Sequence, residues 1–217
     1  MYSTVIFDMD GLLIDSEPLW QEAGSTLLKQ HGITLSDAQY HSTTGLRTPE
    51  WLDYWFTQYK IDQQHTASAS EMVEQSALEF IQEKGNAMPG VEYIMEFFKK
   101  ENFRIGLASS SPMRLIKMVV DKLGIGHYLS AMASAEKLPF GKPHPQVFLD
   151  CAELLQVRPS ACIVFEDSFN GMIAAKAARM KCVVIPAPEL FHQSRWDAAD
   201  LKLSSLEQFD KSSLEKL

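Results

Sequence analysis

The sequence predicts an α/β fold: a doubly wound, Rossmann-like parallel sheet with an inserted α-helical cap. Short apolar runs alternate with stretches of helical periodicity along the chain. Most of these runs are continuous rather than alternating, as expected for strands buried on both faces of a parallel sheet. The connection from Ser16 to Gly85 is much longer than one crossover requires, which indicates an insert.

Five segments are predicted strands, and helices are predicted between them. Residues 91–98 and 148–155 each carry apolar side chains at i, i+3, i+4 and i+7, the spacing of one helix face. In such a sheet the ligand site lies beyond the carboxyl ends of the strands. The strand segments are 4–9 (TVIFDM), 103–109 (FRIGLAS), 129–134 (LSAMAS), 161–167 (ACIVFED) and 181–186 (KCVVIP).

The long first connection contains several helical patterns and no convincing strand. The predicted domains are therefore residues 1–15 and 87–217 for the α/β core and residues 16–86 for the cap. One cap helix carries an aromatic face, and we assign most of its rings to the interior of the cap rather than to ligand stacking. Its residues are Trp51, Tyr54, Trp55 and Tyr59.

Composition and charge exclude several classes of partner. Hydrophobic residues make up 46% of the 217 residues and charged residues 22%, as in ordinary globular proteins. A net charge of −8 argues against nucleic-acid binding, and no apolar run approaches the ~20 residues that span a bilayer. With no signal-type N-terminus, we expect a cytoplasmic monomer. The cysteines lack metal-type spacing and are predicted core thiols: Cys151, Cys162 and Cys182.

Four predicted strands end in polar clusters, and parallel strands bring such ends to one edge of the sheet. A carboxylate at the end of a buried strand costs several kcal/mol unless it is paired or bound to a metal. Each cluster alone also fits a structural role, as a turn, a helix cap or a surface charge, and only their common register favours chemistry. The clusters are Asp8-Asp10-Gly11, Ser109-Ser110-Ser111-Pro112, Gly141-Lys142-Pro143 and Glu166-Asp167-Ser168.

The acidic clusters suit a magnesium ion. Asp8 and Asp10 with Asp167, and with Glu166 as a further candidate, offer the oxygen ligands that Mg²⁺ prefers. The absence of histidine and cysteine from the four clusters argues against zinc.

The remaining clusters suit a phosphate. Ser111 before Pro112 is predicted to be a helix N-cap, and such a helix start offers free N–H groups to an anion. Lys142 adds a compact positive charge. Carboxylates, a hard cation, an anion site and a lysine together indicate phosphoryl transfer.

The motifs DMDG, GLASSS, GKPHP and FEDSFNG resemble the four-motif signature of the haloacid dehalogenase superfamily. The similarity covers essentially the whole chain and is greatest to the β-phosphoglucomutase-like subgroup, whose helical cap follows the first strand. That subgroup includes mutases and small sugar-phosphate phosphatases.

The resemblance implies a role for each cluster. Asp8 would be the nucleophile that forms an aspartyl-phosphate, Asp10 the general acid and then the base, and Lys142 the neutralising cation. Ser109 and the N–H of Ser110 would grip the phosphoryl group. The metal would be held by a set of acidic residues: Asp8, the carbonyl of Asp10, and Asp167, with Glu166 in or near the shell.

The resemblance also places substrate recognition in the cap. Arg47 is open to two interpretations, a clamp on the distal part of a substrate or simply the start of the helix at Thr48-Pro49. The residues that fall at the substrate-recognition positions are Thr44, Gly45, Leu46 and Arg47.

The predicted function is a Mg²⁺-dependent phosphatase acting on small sugar or sugar-alcohol phosphates. A β-phosphoglucomutase is the nearest alternative, but the stretch DSEPLW places Trp20 where the mutases usually carry a histidine. Tryptophan cannot do the proton work of histidine, which favours hydrolysis over isomerisation. A non-catalytic regulator that senses phosphate or Mg²⁺ is a third possibility.

Overall fold

Six parallel strands form one sheet in residues 2–217, the part of the chain that this computed structural model describes. Each strand is hydrogen-bonded to its neighbours in parallel register. The strands are β1 (Thr4–Phe7), β2 (Arg104–Ser109), β3 (Ala131–Ser134), β4 (Cys162–Glu166), β5 (Lys181–Val184) and β6 (Leu201–Lys202).

The spatial order is β3-β2-β1-β4-β5-β6, so the chain winds outward from β1 in both directions. The predicted doubly wound α/β sheet is confirmed. The sequence prediction lacked β6, because a strand of two residues carries no apolar pattern to detect.

Nine α-helices accompany the strands in the described residues. We call the first four, which lie between β1 and α5, the cap. The helices are α1 (Glu17–Gln30), α2 (Asp37–Ser42), α3 (Thr48–Tyr59), α4 (Thr66–Lys84), α5 (Val91–Lys100), α6 (Met113–Leu123), α7 (Gln146–Leu154), α8 (Phe169–Ala177) and α9 (Lys211–Lys216).

Successive residues of the central strand face opposite sides of the sheet, each side being covered by helices. Ile6 packs in the cluster that includes Phe148 of α7, while Phe7 packs in the larger cluster on the other side. There its ring lies 5.9 Å from that of Phe98 and 5.1 Å from that of Phe165. These aromatic contacts fix β1 and β4 against α5, and thereby fix the residues at the strand ends.

The aromatic face of α3 is only half covered. Trp51 and Trp55 are buried as predicted, but Tyr54 and Tyr59 are 45% and 39% exposed. The predicted core thiols behave as expected, since all three cysteines are buried and free.

Two chain segments join the cap to the sheet, and they run side by side. Ile14 forms an antiparallel bridge with Ala87. The amide of Asp15 donates to Asn86 O at 2.9 Å, and the amide of Met88 donates to Leu13 O at 3.0 Å. This short ladder lies where the sequence predicts the boundaries between core and cap, which remain a prediction.

Within residues 2–217, none of the helices combines the length and apolarity required to cross a membrane.

Candidate active site

Lys142 lies at the centre of the polar edge of the sheet. Its buried ammonium group donates to Asp8 Oδ1 and, at 2.6 Å, to Glu166 Oε1. Burial works against the charge, but the two carboxylates outweigh it and hold the pKa of Lys142 above its ordinary value. The end of β1, the loop after β3 and the end of β4 therefore meet at one charged nitrogen.

The acidic residues form a compact set around this lysine. Oxygen atoms of Asp8, Glu166 and Asp167 all lie within 4.8 Å of one another. Burial, together with the neighbouring carboxylates, raises the pKa of Asp8 to about 8, although Lys142 opposes the shift. The same causes raise the pKa of Asp167 well above its usual range. A cluster with this excess of negative charge and only oxygen donors fits a hard divalent cation such as Mg²⁺.

Asp10 is held by hydrogen bonds to both of its carboxylate oxygens. Oδ1 accepts from Ser16 Oγ at 2.7 Å and from Trp20 Nε1 at 2.9 Å. Oδ2 accepts from Ser111 Oγ at 2.7 Å and from Ser109 Oγ at 3.4 Å. The carboxylate thus links the first cap helix to the loop that follows β2.

The prediction that Ser111 is an N-cap is wrong. Helix α6 begins one residue later than predicted, at Met113, and Pro112 occupies the N-cap position. The Ser111 hydroxyl does not cap α6 but donates a charge-assisted hydrogen bond to the carboxylate of Asp10. Ser110 Oγ also points away from α6 and donates to Gly45 O of the cap at 2.8 Å.

Glu166 holds the turn that follows β4. Its Oε2 accepts hydrogen bonds from the amides of Asp167 at 3.1 Å and Ser168 at 2.9 Å, and from the Ser168 hydroxyl at 2.9 Å. Ser168 in turn caps α8 by accepting from Gly171 N at 3.0 Å. A Cβ on Gly171 would lie 1.7 Å from Glu166 Oε1, so this close approach requires glycine.

The guanidinium of Arg47 is engaged by the protein itself. Arg47 is the N-cap residue of α3, as one interpretation of the sequence held. Its side chain extends to the loop between β3 and α7, where its Nη atoms donate to three carbonyl oxygens: Ala135 O at 3.0 Å, Leu138 O at 2.5 Å and Pro139 O at 3.3 Å.

A cavity of about 80 Å³ separates the cap from the polar edge of the sheet. On the cap side it includes every residue predicted to recognise substrate, and Thr44 contributes a buried hydroxyl with no hydrogen-bond partner in residues 2–217. Its lining from the sheet edge includes Asp8, Asp10, Ser109, Ser110, Lys142 and Asp167, and from the cap Thr44, Gly45, Leu46 and Arg47.

Sequence reasoning missed Glu17, which also lines this cavity. Burial, then Asp10 and Asp8, raise the pKa of Glu17 to about 8. A signal was present, because Glu17 follows the first motif directly in DGLLIDSE. The contact of Trp20 with Asp10 was also missed, because the sequence argument considered only that Trp20 stands where the mutases usually carry a histidine.

A sequence model of the haloacid dehalogenase-like hydrolase family matches residues 2–179. The chain belongs to this family. The resemblance found in its motifs is therefore confirmed, and the polar edge of the sheet is the place where haloacid dehalogenase-like chemistry is to be sought in it.

Relatives of this family member include phosphatases. Hexitol phosphatase B of Escherichia coli (strain K12) is 42% identical over 210 residues, covering 96% of this chain and 95% of the relative. The phosphorylated carbohydrates phosphatase of Thermotoga maritima is 31% identical over 174 residues, covering 80% of each chain. These similarities identify the haloacid dehalogenase-like chain as an enzyme of the phosphatase class.

Among solved structures, a β-phosphoglucomutase from Clostridium difficile superposes with a TM-score of 0.85 at 27% identity. The superposition covers 100% of this chain and 96% of the mutase. The sheet and the cap of this family member are thus arranged as in that enzyme.

Proposed function

We propose that the protein is a Mg²⁺-dependent phosphatase of small sugar or sugar-alcohol phosphates, with Asp8 as its nucleophile. The observation that carries the proposal is the cluster of Asp8, Lys142, Glu166 and Asp167, of which Asp8, Lys142 and Asp167 line the cavity beneath the cap. The hexitol and carbohydrate phosphatases among its relatives support the substrate class.

In the first step a carboxylate oxygen of Asp8 attacks phosphorus and the bond from phosphorus to the sugar oxygen breaks. Asp10 gives a proton to the departing oxygen, so that an alcohol leaves rather than an alkoxide. Lys142, in contact with Asp8, offsets the negative charge that gathers on the transferring group.

In the second step a water molecule attacks the aspartyl-phosphate. Asp10 now takes a proton from this water, the bond between phosphorus and the Asp8 oxygen breaks, and inorganic phosphate leaves. Asp8 is regenerated as a carboxylate, and the proton on Asp10 replaces the one given away in the first step.

The phosphoryl group would be held by the Ser109 hydroxyl and the amide of Ser110. Ser109 Oγ already lies 3.4 Å from Asp10 Oδ2, so the acid and the phosphate ligand are neighbours. The Ser110 hydroxyl is bonded to the cap, which leaves its amide as the group for phosphate.

Asp8, Asp167 and the carbonyl of Asp10 would hold Mg²⁺. When bound, the ion supplies positive charge that stabilises the phosphoryl oxygens during transfer. Glu166 lies within 4.8 Å of the other two carboxylates. Its oxygens already accept from Lys142 and from the turn after β4. We therefore favour a role for Glu166 in positioning Lys142 and Asp167 rather than in binding the metal directly.

The cap would have to open for substrate to bind. Ligand pockets measure about 300–1,000 Å³, and the cavity here has only about 80 Å³. The structure thus resembles the closed state of a lid that excludes water during reaction. Uncharged hydrogen-bonding groups on the cap side suit the hydroxyl groups of a sugar alcohol, and among them is the Thr44 hydroxyl, which has no partner within residues 2–217.

A phosphosugar mutase is the second candidate, favoured by the structural similarity to a β-phosphoglucomutase. Trp20 argues against a mutase, because its indole N–H can only donate a hydrogen bond to Asp10 and cannot accept a proton as a histidine would.

The test is phosphate release from a panel of hexitol and hexose phosphates with and without Mg²⁺. We expect Mg²⁺-dependent release that Asp8→Asn abolishes, with Asp150→Asn as the matched control, since the Asp150 carboxylate accepts from Gln146 within α7 and does not line the cavity. Glucose 1-phosphate converted to glucose 6-phosphate without loss of phosphate would favour the mutase. Release that persists in Asp8→Asn would reject the proposed mechanism.

A further inference from the structure

Arg47 and Glu50 of the cap together hold the loop that carries Lys142. The Arg47 Nη atoms donate to three carbonyl oxygens of that loop, and Nη2 also donates to Glu50 Oε1 at 2.6 Å. Glu50 Oε1 accepts in addition from the amide of Gly141 at 2.8 Å. We call Arg47 and Glu50 the clasp.

The clasp binds Gly141, the residue directly before Lys142. Between the end of β3 and the start of α7 the loop contains a single short 3₁₀ turn, at Ala135–Lys137, so few regular hydrogen bonds set its path. Carbonyl and amide contacts to the clasp supply that constraint. The buried ammonium of Lys142 must reach both Asp8 and Glu166, and a displaced Gly141 would displace it from them.

Gly141 fits the clasp closely. A Cβ at this position would lie 2.5 Å from Glu50 Oε2 and 2.8 Å from Arg47 Cγ. It would also lie 2.9 Å from Arg47 Nε, the one nitrogen of this guanidinium that has no hydrogen-bond partner in residues 2–217. All three nitrogens of the Arg47 guanidinium therefore lie close to the loop.

The same cap segment makes two further contacts at the polar edge, one to the start of α8 and one to the loop after β2. Thr44 O accepts from Asn170 Nδ2 at 2.8 Å, after β4, and Gly45 O accepts from Ser110 Oγ at 2.8 Å, after β2. The cap thus contacts the chain after three of the strands. Arg47 and Glu50 make the contacts to the loop that carries Lys142.

We propose that Arg47 and Glu50 are positioning residues that place Lys142 when the cap closes, and that Arg47 is not a ligand of the substrate. The inference rests on the proposed function, in which Lys142 stabilises phosphoryl transfer. It assigns the cap a part in building the catalytic edge, in addition to selecting substrates.

The two roles for Arg47 differ in how they depend on the substrate. A substrate ligand matters only for a substrate with a distal part to hold. A residue that positions Lys142 matters for any phosphate ester, including p-nitrophenyl phosphate, which has no sugar hydroxyls. Misplacing a catalytic group by about 1 Å can lower the rate ~100-fold.

The experiment measures kcat and KM of Arg47→Ala and Gly141→Ala for a hexitol phosphate and for p-nitrophenyl phosphate. We expect kcat to fall by about 100-fold with both substrates while KM changes little. Arg47→Lys should recover only part of kcat, because a point charge cannot reach all three carbonyl groups. Gly141→Ala disturbs the clasp without removing a charge, and thermal melting checks that each variant is folded.

Arg114→Ala is the matched control. Arg114 of α6 pairs with Glu74 of the cap at 3.7 Å and does not line the cavity, so its removal should leave both activities unchanged. A loss confined to the hexitol phosphate would make Arg47 a substrate ligand and overturn the inference. Unchanged kcat in folded Arg47→Ala, or an equal loss in Arg114→Ala, would also overturn it. A wild-type protein inactive on every ester would instead reject the proposed function.

Discussion

The indole nitrogen of Trp20 donates a hydrogen bond to Oδ1 of Asp10 across 2.9 Å, joining the first cap helix to the sheet edge. An indole N–H can only donate, so this oxygen is fixed as an acceptor. A proton on Asp10 is then placed on Oδ2, where the hydroxyls of Ser109 and Ser111 can rotate to accept it. Trp20 thus orients the carboxyl group in the role we propose for it.

Trp20→Phe should lower kcat about 10-fold or more, because a hydrogen bond to a charged group is worth about 1.5–3 kcal/mol. KM should change less, since Trp20 acts through Asp10 in this proposal. Steady-state kinetics on a hexitol phosphate measures both. Trp55→Phe, which loses a buried indole bond to Thr43 away from Asp10, is the control. Equal effects of the two substitutions would mean that Trp20 contributes through packing alone and not through its bond to Asp10.

Lys142→Met should abolish activity and lower the free energy of unfolding by about 3–5 kcal/mol, because it leaves the carboxylates of Asp8 and Glu166 buried without their partner. Urea unfolding in EDTA measures the loss. Lys176→Met is the control, since Asp200 keeps Lys181 at 2.9 Å and that pair is partly exposed, so a change below about 1 kcal/mol is expected. A Lys142→Met variant as stable as the wild type would contradict the buried-pair geometry.

Gly171→Ala should destabilise the protein by about 1–3 kcal/mol, the usual range for overpacking, because the new methyl group would occupy the position of Glu166 Oε1. It should also lower kcat, since Glu166 contacts Lys142. Gly126→Ala is the matched control, as its nearest neighbour would be 3.4 Å away. Thermal melting and phosphate release measure the two effects. If Gly171→Ala behaved like the control, the close approach to Glu166 would be wrong.

The metal-free protein should lose stability as the pH rises. The pKa values of Asp8 and Glu17 increase on folding from 3.8 and 4.5 to about 8. Between those limits the folded chain binds more protons than the unfolded chain, so the stabilisation is complete at low pH and is lost as the pH rises through 8. The melting temperature in EDTA should therefore fall from about pH 5 to pH 8.

Mg²⁺ should reverse this trend, because it replaces the protons at the same oxygens. Its stabilising effect on the melting temperature should be greater at pH 8 than at about pH 5. Asp8→Asn removes one of the titrating groups and should flatten the profile in EDTA. A metal-free melting temperature that stays constant or rises over this range would contradict the prediction.

The patterns that decided the fold are local, and for this reason the sequence predicted them. Continuous apolar runs mark β1, β2, β4 and β5, and the polar residues that follow β1, β2 and β4 identify the candidate active edge. The helical period of α3 identified an aromatic face but not how much of it is covered: the prediction placed most of its rings in the interior, and Tyr54 and Tyr59 are exposed.

The contacts that organise the site are remote in sequence and were not predicted. Arg47 meets Ala135 across 88 positions, and no local pattern relates the two. For Ser111 the local rule for helix starts predicted an N-cap. Its hydroxyl instead donates to the carboxylate of Asp10, 101 positions away, which no local rule takes into account.

The ladder of Ile14 and Ala87 brings the two ends of the cap to one place on the sheet. Since the chain leaves and returns at neighbouring points, an insert of different length or sequence can occupy this position while the strands remain in register. The cap, which selects the substrate, can therefore be exchanged in evolution without rebuilding the sheet edge that cleaves it. The new insert must then make its own contacts to the loop that carries Lys142.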